Sequence, residues 1–128
     1  MMTGLVEHRT IAAFDRDEFE PMMLDGKPLA KSWWHNISYD EATGQGSYLM
    51  IMGPGAKSNP HRHNGPEEFY IVEGDLVDCD GTTYRAGDFI SLAGGSAHES
   101  HSPSGCKIVV THRGVVDNIS NSELEAKA

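Results

Sequence analysis

The sequence is short of cysteine, of positive charge and of long apolar runs. Its two cysteines, Cys79 and Cys106, are too few and too far apart for a secreted disulfide scaffold. Lys and Arg number 10 against 19 Asp and Glu, a formal net charge of −9. Phosphate recognition draws on clusters of Lys and Arg, and none is present, so nucleic acid is not an expected partner. The same negative excess disfavours an anionic membrane surface. No apolar run approaches the roughly 20 residues that cross a bilayer. Residues Met1 to Phe14 lack a basic flank followed by an apolar stretch, so no signal peptide is expected and the cytoplasm is the expected location. A small-molecule substrate or a protein partner is the more plausible ligand.

What is present is glycine, 14 residues of it, placed between short apolar runs. That is the pattern of many short strands joined by tight turns. Strands are expected over Ser47–Met52, Glu67–Val72, Asp75–Cys79, Thr82–Arg85, Asp88–Leu92 and Lys107–Thr111. Gly53-Pro54-Gly55 cannot continue a strand, and Asp80-Gly81 is a hairpin signal because both residues tolerate positive φ. Helical signals are weak: Arg16–Met23 is interrupted by Pro21, and the tail Asn121–Ala128 has helix formers without an apolar face. The expectation is one all-β domain over residues 1–128, a sandwich or barrel. The first 46 residues carry the least pattern.

The chemistry is concentrated in the histidines. His61 and His63 are two apart, and on an extended backbone such residues share a face. Asn64-Gly65-Pro66 then turns the chain, and Glu67-Glu68 returns a carboxylate to their neighbourhood. His98 follows a further strand and the Gly94-Gly95 step. Imidazole and carboxylate together suit Fe(II), Zn, Mn, Ni or Co, and the ligand types alone do not choose. An isolated His-x-His is common on exposed strands and is no proof of a metal. The framework around the pair carries more weight.

That framework resembles the cupin superfamily. The first cupin motif reads Gly, five residues, His-x-His, three or four residues, Glu, six residues, Gly, and Gly55, His61, His63, Glu67 and Gly74 stand at that spacing. In the second motif Gly87, Gly95 and His98 are in place, while Ala93 replaces the family's proline and Ser102 its asparagine. The likeness covers roughly residues 47–114, leaving 1–46 as an N-terminal extension. It implies a double-stranded β-helix, the cupin or jelly-roll barrel, with His61, His63, Glu67 and His98 around one divalent metal ion. A narrower pattern, running from His61 through Glu68 to Gly95, Ser96, His98, Ser102, Gly105 and Cys106, is similar to the cupin domain of ChrR-type anti-sigma factors. The same subgroup resembles small dioxygenases that cleave β-diketones such as acetylacetone, or hydroxylated acetophenones. Family spacing favours Glu67 over Glu68 as the ligand, and strand alternation by itself does not decide between them.

The remaining residues have blander readings beside the functional ones. Trp33 and Trp34 should face opposite sides of a strand, with packing favoured over a pocket role. Tyr48, Met50 and Met52 share a face and read as barrel core, with a substrate cavity as the other reading. Cys106, Ile108, Val110 and His112 share another face, which makes His112 a pocket candidate. His101 has parity opposite to His98 and should face away, and Arg62 should point outward to an acidic neighbour.

The resemblance implies a metal-dependent dioxygenase, Fe(II) favoured and Zn, Mn or Ni as alternatives. The expected substrate is small and chelates through two oxygens, and Glu67 is either a fourth ligand or a base. The reading from another class is a non-catalytic zinc- or ligand-binding sensor of the ChrR type. Resemblance also implies a homodimer. Replacing His98 by Ala should remove the metal and leave the barrel folded. Because ligand histidines bind neutral, affinity should weaken below about pH 6.

Overall fold

The structure, a computed structural model, describes residues 4–127. Its strands are β1 (Glu20–Leu24), β2 (Lys27–Asn36), β3 (Gln45–Met52), β4 (Ala56–Lys57), β5 (His61–His63), β6 (Glu67–Asp78), β7 (Thr83–Arg85), β8 (Phe89–Leu92), β9 (Ala97–His98), β10 (Ser100–Ser102), β11 (Cys106–Arg113) and β12 (Val116–Asn118). A short C-terminal helix, α1, spans Asn121–Lys127. The larger sheet runs β1-β2-β3-β11-β6-β10-β4, with β7 and β8 also paired to β6. The smaller one is β12-β5-β9. The two curl around a single core, giving the mostly-β, jelly-roll architecture expected from the two motifs.

Alternation builds the wall. In β11, Cys106, Ile108, Val110 and His112 are buried and the residues between them are partly exposed. β11 lies antiparallel between β3 and β6, so Ile108 sits opposite both Met50 and Ile71, and Val110 opposite Tyr48 and Phe69. Facing side chains from these three strands form the core, where Ile71 is entirely inaccessible and Met52 nearly so. Trp33 is exposed and Trp34 turns inward against Tyr48, as adjacent strand residues must.

Two sequence expectations change. Glu67–Val72 and Asp75–Cys79 are one strand: a bulge at Val72 shifts the register against β11, and Gly74, at a φ of 84°, carries β6 onward while paired with Cys106. A Cβ at Gly74 would collide with the Gly105 carbonyl, so the close pairing of these backbones needs glycine there. The unpatterned N-terminal third supplies the β1–β2 hairpin. Its turn is Asp25-Gly26, both at positive φ (51° and 79°), which is the two-residue arrangement that suits strand twist. Pro21 is tolerated because β1 is an edge strand. The tail is helical, and Leu124 supplies the apolar contact its composition hardly advertised.

Candidate metal centre

Strand geometry gathers four side chains. His61 and His63 project from one face of β5, while Arg62 between them points outward to Asp117 at 3.0 Å. Antiparallel pairing of β5 with β9 sets His61 directly opposite His98. Glu67 opens β6 and lies opposite His112 on β11. One ligand atom from each of His61, His63, Glu67 and His98 falls within 4.8 Å of every other. Ligand–metal bonds of ~2.1 Å place ligand atoms up to roughly 4.2 Å apart, so this group needs only slight closure to hold an ion. Glu68 is not part of it: its carboxylate accepts from Ser91 at 3.0 Å and pairs with Arg113 at 3.2 Å on the outer side.

Each imidazole is oriented through Nδ1. His61 donates to the Asn59 carbonyl at 2.7 Å, an acceptor that fixes the proton on Nδ1. The Ser96 hydroxyl donates to the Ala93 carbonyl, leaving its oxygen to accept from His63 Nδ1 at 3.0 Å. His98 Nδ1 lies 3.0 Å from both carboxylate oxygens of Asp78. All three Nε2 atoms are thereby turned to the common centre. Nε2 of His63 and of His98 are buried there without a hydrogen-bond partner. An orphaned buried polar atom costs about 1–3 kcal/mol. A divalent ion would satisfy both, so the donor set fits one.

The charges are strongly coupled. Burial pulls the His61 imidazole down to about 4, assisted by the positive charge of His98. Burial also acts to lower His98, but the carboxylates of Asp78 and Glu67 prevail and push it up to about 9. Burial would raise the Glu67 carboxyl, yet His63, His98 and His112 hold it well below the usual carboxylate range. Glu67 Oε1 is 3.7 Å from His98 Nε2, and its Oε2 is 3.4 Å from His63 Nε2 and 3.3 Å from His112 Nε2.

His112 therefore belongs to this centre, next to the four ligand candidates, with the Tyr48 hydroxyl 3.1 Å from its Nε2. His101 is exposed and turned away. His61, Glu67, His98 and His112 line a cavity of about 170 Å³ together with apolar residues that include Met50, Met52, Phe69, Leu76, Ile108 and Val110. Met22 and Leu29 of the β1–β2 hairpin close one flank, a contribution invisible in the N-terminal sequence. Asn59 and Asp78, which orient His61 and His98, had no signal in the sequence, and Ser96 stood there only as a member of the ChrR-like pattern. Asp78 shares an inward face with Leu76, but the bulge at Val72 breaks the parity that would have related it to Glu67.

Among the described residues, no helix is long and apolar enough to cross a membrane. The family model described as the ChrR Cupin-like domain matches residues 23–116. No curated protein sequence matches the chain. Among solved structures, an acetylacetone dioxygenase from Acinetobacter johnsonii is 18% identical, with a TM-score of 0.73 over 89% of this chain and 80% of that one. A protein with a cupin-like fold from Ralstonia eutropha is 19% identical, with a TM-score of 0.67 over 72% of this chain and 60% of that one. A chain in the structure of Rhodobacter sphaeroides SigE bound to the anti-sigma ChrR is 13% identical, with a TM-score of 0.63, covering 78% of this chain but only 50% of that one. At these identities the likeness establishes a shared cupin-like fold.

Proposed function

The chain belongs to the ChrR cupin-like domain family, and from that premise we propose that it is a mononuclear Fe(II)-type dioxygenase acting on a small chelating substrate, such as a β-diketone or a hydroxylated aryl ketone. The observation that carries this reading is the pairing of a four-ligand cluster with a mainly apolar cavity that three of the four line. His61, His63 and His98 would hold the ion through Nε2, with Glu67 as the fourth ligand. A bound divalent ion would supply Lewis acidity and a template for two substrate oxygens, and as Fe(II) also the redox capacity that dioxygen chemistry requires.

The protein's own residues define what can enter. At about 170 Å³ the cavity is close in size to a ~150 Å³ apolar cavity that admits benzene, and below the usual range for drug-sized ligands. The cavity suits a small substrate with oxygens towards the histidines and hydrocarbon against residues such as Phe69 and Ile108. A carboxylate held as low as that of Glu67 is a poor proton acceptor at neutral pH, which supports the ligand role over the base. Tyr48 and His112, hydrogen-bonded to each other and lining the cavity, could donate a hydrogen bond to a substrate oxygen.

Anaerobic reconstitution with Fe(II), followed by a β-diketone panel and an oxygen electrode, tests the reading. Substrate-dependent oxygen uptake that disappears in His63→Ala is expected. A second reading is a stand-alone zinc- or ligand-binding sensor, favoured by the family description and the likeness to a chain of the SigE–ChrR complex. Absence of uptake with every substrate, together with tightly held zinc in the purified protein, would replace the first reading by the second. A homodimer is part of the proposal. Tyr70, Val72 and Phe89 are exposed on the outside of the larger sheet, with Tyr70 paired to Phe89, and sedimentation would determine the mass.

A further inference from the structure

The three histidines share a tautomer but differ in what enforces it. His61 donates to a neutral carbonyl and His63 to a neutral hydroxyl. His98 alone meets a carboxylate, with Nδ1 at 3.0 Å from both oxygens of Asp78. That carboxylate is itself clamped. The Tyr84 hydroxyl donates to its Oδ2 at 2.7 Å, and the Cys79 backbone N–H donates to its Oδ1 at 2.8 Å. Asp78 is buried, and its backbone is fixed between Ser100 on β10 and the turn closed by the Thr82 carbonyl. The group therefore cannot rotate away from His98 without breaking two further hydrogen bonds.

We infer that Asp78, held by Tyr84, is a positioning residue that makes His98 the strongest donor of the metal centre. The inference rests on the metal-binding reading above. The physical ground is general: a carboxylate accepting from the remote ring nitrogen of a ligand histidine fixes its orientation and raises the basicity of the ligating nitrogen, and loss of such a partner typically costs 10–100-fold in affinity. The neutral partners of His61 and His63 orient their rings without adding charge. The Tyr84 ring packs edge-on against Phe69 of the cavity wall, but its hydroxyl bonds Asp78, so removing that hydroxyl alone in Tyr84→Phe keeps the packing and acts through Asp78.

The test is Co(II) binding to the full chain, read by its visible absorption bands, for the unaltered protein and for Asp78→Asn, Tyr84→Phe and Ser96→Ala. The expected result is a 10–100-fold weaker affinity in Asp78→Asn, a smaller loss in Tyr84→Phe, and the smallest in Ser96→Ala. At saturating metal the bands should shift in Asp78→Asn and Tyr84→Phe, a change that a mere loss of fold stability would not produce. Circular dichroism reports folding, and if Asp78→Asn fails to fold, Tyr84→Phe decides alone. Affinities within threefold of the unaltered protein, with unchanged bands, overturn the role of Asp78 and leave the metal reading intact. Failure of the unaltered chain to bind Co(II) overturns the metal reading, and this inference with it.

Discussion

The two sheets of this barrel are built on opposite terms. The larger is held by long strands whose alternation buries a continuous apolar face: β3, β6 and β11 contribute Met50, Ile71 and Ile108 in register. The smaller, β12-β5-β9, consists of strands of three, three and two residues and presents histidines inward instead of hydrocarbon. Its short ladder is reinforced by side chains, Asn59 to Asn118 at 2.7 Å and Ser96 to His63 at 3.0 Å. The large sheet can tolerate a polar centre at its edge because it supplies most of the burial. The small sheet can carry that centre because its geometry is fixed by hydrogen bonds to specific atoms. The small sheet thus carries the three histidines, while the large sheet supplies Glu67 and Asp78 from β6 together with most of the burial, and substitutions of histidine and of core hydrocarbon should divide accordingly.

The sharpest break should come from the small sheet. His61→Ala removes a neutral ligand candidate and should lower affinity for a divalent metal by more than the ~10–100-fold of an outer partner, with little change in the metal-free melting temperature. Isothermal titration and thermal melts would measure the two. His98→Ala should be less clean than its sequence suggested. It also leaves Asp78 buried beside an empty position, and an uncompensated buried charge is costly.

The reverse pattern is expected in the large sheet. Ile71→Ala, at an inaccessible position, should cost about 2–5 kcal/mol of stability in a urea titration while leaving metal stoichiometry unchanged. Loss of metal without loss of stability at this position would contradict the division between core hydrocarbon and ligand side chains.

A pH series on the chelator-treated protein sharpens the same contrast. His98 is raised from 6.5 to about 9, so its contribution is complete below pH 6.5 and lost as pH rises through 9. His61 is lowered from 6.5 to about 4, so its contribution is complete above pH 6.5 and lost as pH falls through 4. Metal-free stability should therefore peak near pH 6.5, and metal-loaded protein should be flatter on the alkaline side. A metal-free melting temperature that stays level up to pH 9 would refute the coupling of His98 to Asp78 and Glu67. The smallest effect belongs to the outward side of β5: Arg62→Ala breaks a solvent-screened ion pair with Asp117 and should leave the melting temperature and the metal affinity nearly unchanged.

The motif-bearing segments were legible because their spacing and strand parity carry the geometry. His61 and His63 share a face, Arg62 does not, and the Cys106 to His112 alternation is the wall that was read from it. Glu67 and Glu68 could not be separated by alternation, since either parity leads to apolar neighbours, and only pairing across β8 and β11 turns Glu67 inward. The first 46 residues were illegible for a different reason. β1 and β2 end the sheet, so most of their positions are exposed and carry no periodic pattern, although Asp25-Gly26 was a turn signal in plain view. Asp78 was hidden by the bulge at Val72, which resets strand parity between it and the motif glutamate.

The central claim is that His61, His63, Glu67 and His98 together hold one divalent ion. Elemental analysis of the purified chain, alongside His61→Ala prepared identically, tests it most directly. The account predicts about one equivalent of a divalent transition metal per chain, and strongly reduced content in the variant. Equal metal content in both proteins, or none in the unaltered chain even after anaerobic reconstitution, would contradict it.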